Sequence, residues 1–238
     1  MQFGLTLPFA VSAVPLAGSM IARLARDDAR GSEQSESPGL DADSLAALSR
    51  TLDATVGYDS AHGARVAEIA GALARRLGFR RHGLRAVELG ALLHDLGMLG
   101  IPERVLGKAE PLDEAEWQLV RRHPLVAESI VGGFTVHPSV VEIARSSHER
   151  IDGTGYPDGL AGDAIPLPAR IVLVAEAFDA LTTDRPYRAG RPEHQALAEI
   201  RANAGTQFCR TVVATLDRLA REEPEILGTI PVWAVNVA

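Results

Sequence analysis

The sequence predicts an all-α protein, a helical bundle that holds its functional site in the core. Three observations support this class. Apolar residues recur at helical spacing along most of the chain beyond residue 40, and proline and glycine separate the periodic stretches. No segment alternates apolar and polar residues convincingly, apart from a short tail at 230–237. Hydrophobic residues make up 46% of 238, which is enough to bury a sizeable core.

The first two helices are predicted from a cap and from an apolar face. Asp43 and Ser44 are suitable N-cap residues for a helix that continues through Leu52. The segment 62–77 places its apolar residues on one face and its arginines mostly off that face. We therefore expect two helices that each bury one side.

The third predicted helix, at 84–96, is apolar on more than one side, as expected of a helix in the centre of a bundle. Gly97 and Gly100 follow, and we expect them to end it. Prolines and helical spacing predict the remaining helices at 111–122, 138–148, 168–182, 192–204 and 211–221.

The N-terminal 40 residues are expected to lie outside the bundle. Residues 1–22 contain no charge and are followed by three arginines, which suits a marginal membrane span with the remainder in the cytoplasm. Prolines and glycines within this stretch suit a loosely packed leader equally well, and 29–38 has linker composition. The chain is thus divided into a leader and linker at 1–40, a domain at 41–222 and a tail at 223–238.

The charge balance restricts the partners. The chain has 24 basic and 31 acidic residues, a net charge of -7, which argues against DNA binding because that requires a basic surface. An anionic substrate would have to be held by local cations or by metal. The single cysteine, Cys209, excludes a disulfide framework and fits a cytoplasmic location, with membrane association through the N-terminus as the open alternative.

Histidines at helix ends indicate a metal site. His94 and Asp95 offer a nitrogen and an oxygen ligand at the end of an apolar helix, although a hydrogen-bonded core histidine beside a capping aspartate would look the same. His62 opens one predicted helix, and His123 and His148 end two others. Converging helix ends of this kind suit Mn, Fe or Zn better than Ca or Mg. The other three histidines are in polar or turn contexts typical of the surface.

A series of ordered motifs between residues 45 and 219 resembles the HD-GYP phosphodiesterases, a branch of the HD phosphohydrolase superfamily. The matching stretches are His62-Gly-Ala-Arg-Val66, Ala91-Leu-Leu-His-Asp-Leu-Gly97, Ile101-Pro102, His123-Pro124, His148-Glu-Arg-Ile-Asp-Gly-Thr-Gly-Tyr-Pro157, Ile165-Pro166, Phe178-Asp-Ala-Leu-Thr-Thr-Asp-Arg-Pro-Tyr-Arg188 and Gly205-Thr-Gln-Phe208. The resemblance implies an HD-type helical bundle with a buried metal site. It also implies hydrolysis of cyclic di-guanylate to a linear dinucleotide or to GMP, with two or three metal ions.

Carried over to this chain, the resemblance implies two divalent transition-metal ions, Fe, Mn or Zn. Asp95 would bridge the ions, and Asp95 and His94 are the implied catalytic pair, in a two-metal hydrolysis of the phosphodiester. The implied metal ligands are His62, His94, Asp95 and Glu176 for the first ion, and Asp95, His123, the residue at 147 and His148 for the second.

The implied substrate contacts are Arg185 and Arg188, whose guanidinium groups suit phosphate oxygens, although a solvated ion pair with a neighbouring carboxylate is the alternative. Gly155 and Tyr156 lie in the segment 149–160, which we name the GYP loop. Glycine there allows a close approach to a ligand, and the tyrosine ring could stack on a guanine. A tight surface turn, or a loop that faces a protein partner, remains open.

Four positions depart from the family pattern. Met98 stands where the family commonly has lysine, and Ser147 stands where it has the first of two histidines. Glu176 replaces an aspartate, and Cys209-Arg210 stand where the family often has Asp-Pro. In addition, Tyr58 stands where three-metal members carry a glutamate, so a three-metal cluster is not expected. Two hypotheses follow. The chain is a phosphodiesterase with a weakened binuclear site, or it is a catalytically degenerate module that binds a nucleotide or a protein and acts as a regulator.

Overall fold

A computed structural model describes residue 48 and residues 51–57, 61–108, 110–184 and 189–228, and the structure below is that of these residues. Their regular structure is helical, with two isolated β-bridges and no strand, which confirms the all-α prediction. The predicted leader, the cap at Asp43 and Ser44 and the alternating tail at 230–237 lie outside the described residues. None of the helices that can be described combines the length and apolar character that a membrane span requires.

The helices follow a short helical segment at 51–56. They are α1 (His62–Arg76), α2 (Arg81–Leu93), α3 (Glu103–Leu106), α4 (Glu114–Val120), α5 (His123–Val131), α6 (Pro138–Ser146), α7 (Leu167–Thr182), α8 (Glu193–Ala202), α9 (Arg210–Glu222) and α10 (Glu225–Gly228). Two 3₁₀ helices, Leu96–Gly100 and Gly162–Ala164, interrupt the series. The predicted bounds of α1, α7, α8 and α9 are confirmed to within two residues at each end.

The helices α1, α2 and α7 form the centre of the bundle. α1 packs along α2 and α7, and α6 packs against α2 and α5. Every residue of α2 from Ala86 to Leu93 is buried, as predicted for a helix that is apolar on several sides. The N-terminus of α1, the turn after α2 and the N-terminus of α5 bring predicted ligands close together within this arrangement.

The end of α2 differs from the prediction. The helix stops at Leu93, and His94 and Asp95 form a turn that leads into the 3₁₀ helix Leu96–Gly100. Gly97 does not act as a terminator. A Cβ atom at Gly97 would lie 1.9 Å from the carbonyl oxygen of His123 and 2.6 Å from the nitrogen of Ala127. The glycine is required because the backbone of α5 lies directly against it.

The role of His123 was also predicted wrongly. It begins α5 instead of ending the preceding helix, and α5 itself was not predicted. Pro124 follows at the first turn of α5, where the missing N–H group costs nothing and the fixed φ suits a helix. The preceding helix, α4, ends at Val120 and begins with a capping box between Asp113 and Glu116.

A small apolar cluster lies apart from the main core. Its buried members are Leu52, Met98, Ile101 and Val105, and we name it the Met98 cluster. It packs the helical segment at 51–56 against the 3₁₀ helix and α3. The side chain at position 98 is thus part of a hydrophobic contact beside the turn that carries His94 and Asp95.

Candidate metal centre

The structure brings together all six side chains that the resemblance implies as ligands. His62 is the first residue of α1, His94 and Asp95 form the turn after α2, and His123 is the first residue of α5. His148 lies two residues beyond the end of α6, and Glu176 lies in the middle of α7. His62, His94, Asp95 and His123 are buried, and His148 and Glu176 are partly exposed.

The first half of the centre contains His62, His94 and Asp95, each of which offers a ligand atom within 4.8 Å of the others. Glu176 faces the two imidazoles of this half. Its Oε2 atom lies 3.2 Å from Nε2 of His62 and 3.5 Å from Nε2 of His94. A carboxylate one methylene longer than the family's aspartate therefore still reaches this half.

The second half contains Asp95, His123 and His148, whose ligand atoms also lie within 4.8 Å of one another. Oδ1 of Asp95 is 3.3 Å from Nε2 of His123 and 3.4 Å from Nε2 of His148. The same oxygen is 3.4 Å from Nε2 of His94. One carboxylate thus belongs to both halves, which is the arrangement that a bridging ligand requires.

Hydrogen bonds at Nδ1 fix three of the four imidazoles. His94 and His123 donate from Nδ1 to the carbonyl oxygens of Ala91 and Val120, each at 2.8 Å. Nδ1 of His62 lies 2.8 Å from Oδ2 of Asp179. Because a carbonyl oxygen only accepts, Nδ1 of His94 and of His123 carries the proton, and the Nε2 lone pair points to the centre. This is the tautomer that metal ligation needs.

Asp179 is a supporting residue that the sequence analysis did not assign. Its carboxylate receives both the Nδ1–H group of His62 and the guanidinium group of Arg65. Burial raises the pKa of Asp179, but His62 and Arg65 outweigh burial, and the net pKa lies below its usual range. Its sequence spacing could have indicated this role, because Asp179 lies three residues after Glu176 and therefore on the same face of α7.

The electrostatics of the centre favour positive charge. Burial lowers the pKa of His94, but Asp95 and Glu176 raise it more strongly, to about 9. The pKa of His62 is likewise raised despite burial, chiefly by Glu176 and then Asp179. Burial raises the pKa of Asp95, yet its neighbours, His94 first, hold that pKa well below its usual range. The raised pKa values of His62 and His94 thus reflect the carboxylates that face them, whereas burial lowers the pKa of His148.

The donor atoms of the centre fit divalent transition-metal ions. Nε2 of His94, Nε2 of His123 and Oε2 of Glu176 are buried and make no hydrogen bond within the described residues. The charged groups nearest to these atoms lie 3.2–3.5 Å away without hydrogen-bond geometry, so a metal ion between them would satisfy the buried atoms. Imidazole nitrogens combined with carboxylate oxygens suit Mn, Fe or Zn.

The two departures that remove a candidate ligand or a cation have different surroundings. Ser147 is 1% exposed, and its Oγ atom makes no hydrogen bond within the described part of the chain. Met98 is 8% exposed and belongs to the Met98 cluster. A serine hydroxyl is a far weaker metal ligand than imidazole, and a methionine in an apolar cluster offers no positive charge. Neither position restores the group that the family pattern has there.

The GYP loop is held by one buried carboxylate. Glu149 is 1% exposed and accepts hydrogen bonds from the backbone N–H groups of Asp158, Gly159 and Leu160 at 2.7, 3.1 and 3.0 Å. A Cβ atom at Gly155 would lie 2.4 Å from the nitrogen of Arg150, so this glycine is required by close backbone approach. The loop is therefore pressed against the chain that carries His148.

The structure places only part of the predicted substrate site. Tyr156 lies beside the centre, with its ring stacked on the imidazole of His148 at 5.1 Å and 3° and edge-on to His123 at 6.1 Å and 80°. Arg185 and Arg188 lie outside the described residues. The predicted contacts of Arg185, Arg188, Gly155 and Tyr156 with substrate stay predictions.

Comparison with known families and curated proteins bears on this arrangement. A family model described as HD domain matches residues 46–212. The cyclic di-GMP phosphodiesterase response regulator RpfG of Xanthomonas campestris pv. campestris is 39% identical over 188 residues, which are 78% of this chain and 50% of that protein. The 3'3'-cGAMP-specific phosphodiesterase 3 of Vibrio cholerae is 36% identical over 187 residues, which are 79% of this chain and 41% of that protein. The chain thus spans half of these relatives' length or less.

Two solved structures share the fold. The cyclic GMP-AMP-specific phosphodiesterase V-cGAP3 of V. cholerae superposes with a TM-score of 0.64 at 21% identity, over 79% of this chain and 51% of that one. The HDG"Y"P protein of Bdellovibrio bacteriovorus superposes with a TM-score of 0.58 at 20% identity, over 90% of this chain and 74% of that one. At these identities the likeness concerns the fold.

Proposed function

Because the chain belongs to the HD domain family, in its HD-GYP branch, we propose that it is a metal-dependent phosphodiesterase of cyclic dinucleotides. The proposed substrate is cyclic di-guanylate, and the proposed product is a linear dinucleotide or GMP. The observation that supports this function most strongly is the position of Asp95, whose one oxygen lies 3.3 to 3.4 Å from His94, His123 and His148.

A pair of ions bound at these residues would supply Lewis-acid stabilisation of the phosphodiester and a water of lowered pKa. The chain's own part is to hold the ions at a fixed spacing and to keep their ligands in the correct state. Asp95 contributes the shared oxygen, and His94 contributes an Nε2 lone pair whose direction is set by the bond from Nδ1 to Ala91. These two residues are the proposed catalytic pair.

We further propose that the second half of the centre binds its ion more weakly than the first. The first half has three ligand residues besides the shared Asp95, namely His62, His94 and Glu176. The second half has His123 and His148, with Ser147 where the family pattern has a histidine. Loss of one imidazole leaves a position for a water or a substrate oxygen. The expected result is a binuclear enzyme of low activity at limiting metal.

Substrate binding would depend on local groups, because the net charge of -7 disfavours an anionic dinucleotide at long range. Arg185 and Arg188 are the proposed phosphate contacts. Gly155 lets the GYP loop approach closely, and Tyr156 is proposed to border a guanine with its hydroxyl and outer edge. A protein partner at the GYP loop and membrane contact through residues 1–22 remain predictions.

The test is metal content together with turnover. Purified protein is loaded in turn with Mn²⁺, Fe²⁺ and Zn²⁺, freed of excess metal, and assayed for metal per chain and for hydrolysis of cyclic di-guanylate and of 3'3'-cGAMP. His148→Gln should reduce metal content and activity, whereas His82→Gln, a change at an exposed histidine of α2, should alter neither. Ser147→His should raise metal content at limiting metal, alone or with Met98→Lys.

Ser147 and Met98 also support a second candidate function, that of a nucleotide-binding or protein-binding regulator without catalysis. The same preparation separates the two functions. Binding of cyclic di-guanylate, measured calorimetrically, without hydrolysis under any of the three metals would favour the regulator. Turnover that depends on metal and disappears in Asp95→Asn would exclude it.

A further inference from the structure

The four imidazoles of the centre are not held in the same way. His62, His94 and His123 each have Nδ1 within 2.8 Å of an oxygen atom of the chain. His148 differs. Its one hydrogen-bond contact within the described residues joins Nε2 to Oδ1 of Asp95 at 3.4 Å, so no oxygen of that part of the chain anchors its Nδ1. An imidazole without an Nδ1 anchor is free to rotate about its side-chain bonds unless another group restrains it.

The ring of Tyr156 lies against the imidazole of His148. The two rings are parallel to within 3°, with their centroids 5.1 Å apart. His123 also contacts this imidazole, edge-on at 4.6 Å and 82°. Tyr156 itself lies edge-on to His123 at 6.1 Å. His148 thus has three ring neighbours, of which Tyr156 is the one stacked on its face, and offset or edge-on contacts between aromatic rings are favourable.

The position of Tyr156 is set by the GYP loop. Its backbone N–H group donates to the carbonyl oxygen of His148 at 3.2 Å, which ties the loop to the residue whose ring it covers. Gly155 allows this approach, since any Cβ there would meet the backbone of Glu149 at 2.6 Å. Glu149 in turn fastens the far end of the loop through three N–H groups. A displacement of the loop would thus withdraw the ring from His148.

We propose that Tyr156 is the positioning residue of the second half of the centre, and that its ring, in place of a hydrogen bond, orients His148 for metal binding. Occupancy of this half then depends on where the GYP loop lies. A ligand or protein that moves the loop would change the affinity for one ion and leave the other unchanged. This inference rests on the proposed function, because it concerns a positioning residue of the same binuclear centre.

The test compares Tyr156→Phe, which keeps the ring and removes the hydroxyl, with Tyr156→Leu, which keeps apolar bulk and removes the ring. Thr154→Ala, a change at an exposed residue of the same loop, is the control. Mn²⁺ bound per chain is measured by elemental analysis over a range of free Mn²⁺. We expect Tyr156→Phe and Thr154→Ala to match the wild type, and Tyr156→Leu to bind the second ion about ten- to a hundredfold more weakly with the first ion unaffected.

Equal affinities in Tyr156→Leu and the wild type would overturn the proposal, as would equal losses for both ions or an equal loss in Tyr156→Phe. If the wild type binds a single ion, that result counts against the proposed binuclear function and not against the role of Tyr156. A second measurement, which needs no metal, then tests the role of Tyr156. Proton spectra of metal-free protein with labelled histidine should show ring-current shifts for His148 in the wild type and in Tyr156→Phe. Their persistence in Tyr156→Leu would refute the positioning role.

Discussion

Replacing Gly97 by alanine should disturb metal binding in the second half of the centre and leave the first half intact. The added Cβ would lie 1.9 Å from the carbonyl oxygen of His123, whereas ordinary van der Waals contact begins at 3.4 Å. The deficit is about 1.5 Å, and the atoms on the other side are α5 backbone, which cannot rotate away as a side chain can. The first turn of α5 must therefore move, and His123 moves with it.

Two general quantities set the expected size of the effect: the energetic cost of overpacking and the tolerance of metal–ligand distances. Overpacking against a rigid neighbour costs about 1–3 kcal/mol in the free energy of unfolding, and a backbone clash belongs at the upper end. For a domain of this size, about 3 kcal/mol lowers the melting temperature by about 6–12 °C. Metal–ligand distances tolerate only about 0.2 Å of error, so a shift of this size at His123 would remove it as a ligand.

The assay measures melting temperature and Mn²⁺ per chain for Gly97→Ala beside Gly100→Ala. Gly100 is a matched control because it lies in the same 3₁₀ helix, and its added Cβ would meet Val126 at 3.4 Å, an ordinary contact. We expect Gly97→Ala to melt well below the control and to lose the second ion. If the two variants have the same melting temperature and metal content, the packing argument for α5 is wrong.

Three further predictions concern groups around the centre. Asp179→Asn should weaken binding of the first ion about tenfold, because the charge that supports His62 is lost, and an unchanged Mn²⁺ titration would contradict this. Glu149→Gln should speed hydrogen exchange of the amides at 158–160, since an amide cannot accept all three bonds, and unchanged exchange rates would show that the loop is held otherwise. In chelated protein the pKa of His94, about 9, is raised, so its stabilising contribution is complete below about pH 6.5 and is lost as pH rises through 9. In metal-loaded protein, stability should instead rise with pH, because the imidazoles must be neutral to bind metal. Melting temperatures are measured from pH 6 to 10 with and without chelator, and the same pH dependence in both would contradict this prediction.

The proximity of the candidate ligands could be predicted from the sequence because residue type and motif order indicate it. The six histidine and carboxylate side chains lie together in the structure, and Asp95 belongs to both groups, while their ligation of metal stays a prediction. The all-α class could be predicted as well, because apolar periodicity and the positions of prolines indicate helices and their buried faces. Both are properties of short stretches of chain.

The errors arose where one part of the chain depends on another. Gly97 looked like a helix terminator, and only the contact with α5 shows that it is a packing glycine. His123 was predicted to end a helix, although the proline that follows it is well suited to the first turn of a new one. The contact between Asp179 and His62 was missed for the same reason, because the spacing of Asp179 from Glu176 places it on the right face of α7 but does not show that α1 packs there.

The arrangement of ligands along the chain has a consequence for unfolding. The residues that meet at Asp95 are contributed by α1, by the turn after α2, by α5, by the end of α6 and by α7, from residue 62 to residue 176. In an unfolded chain these groups would be far apart, so a bound ion is a reversible cross-link that closes several long loops at once. Metal loading should therefore stabilise the bundle in proportion to the logarithm of free metal, and chelation alone should be enough to make the whole domain easier to unfold.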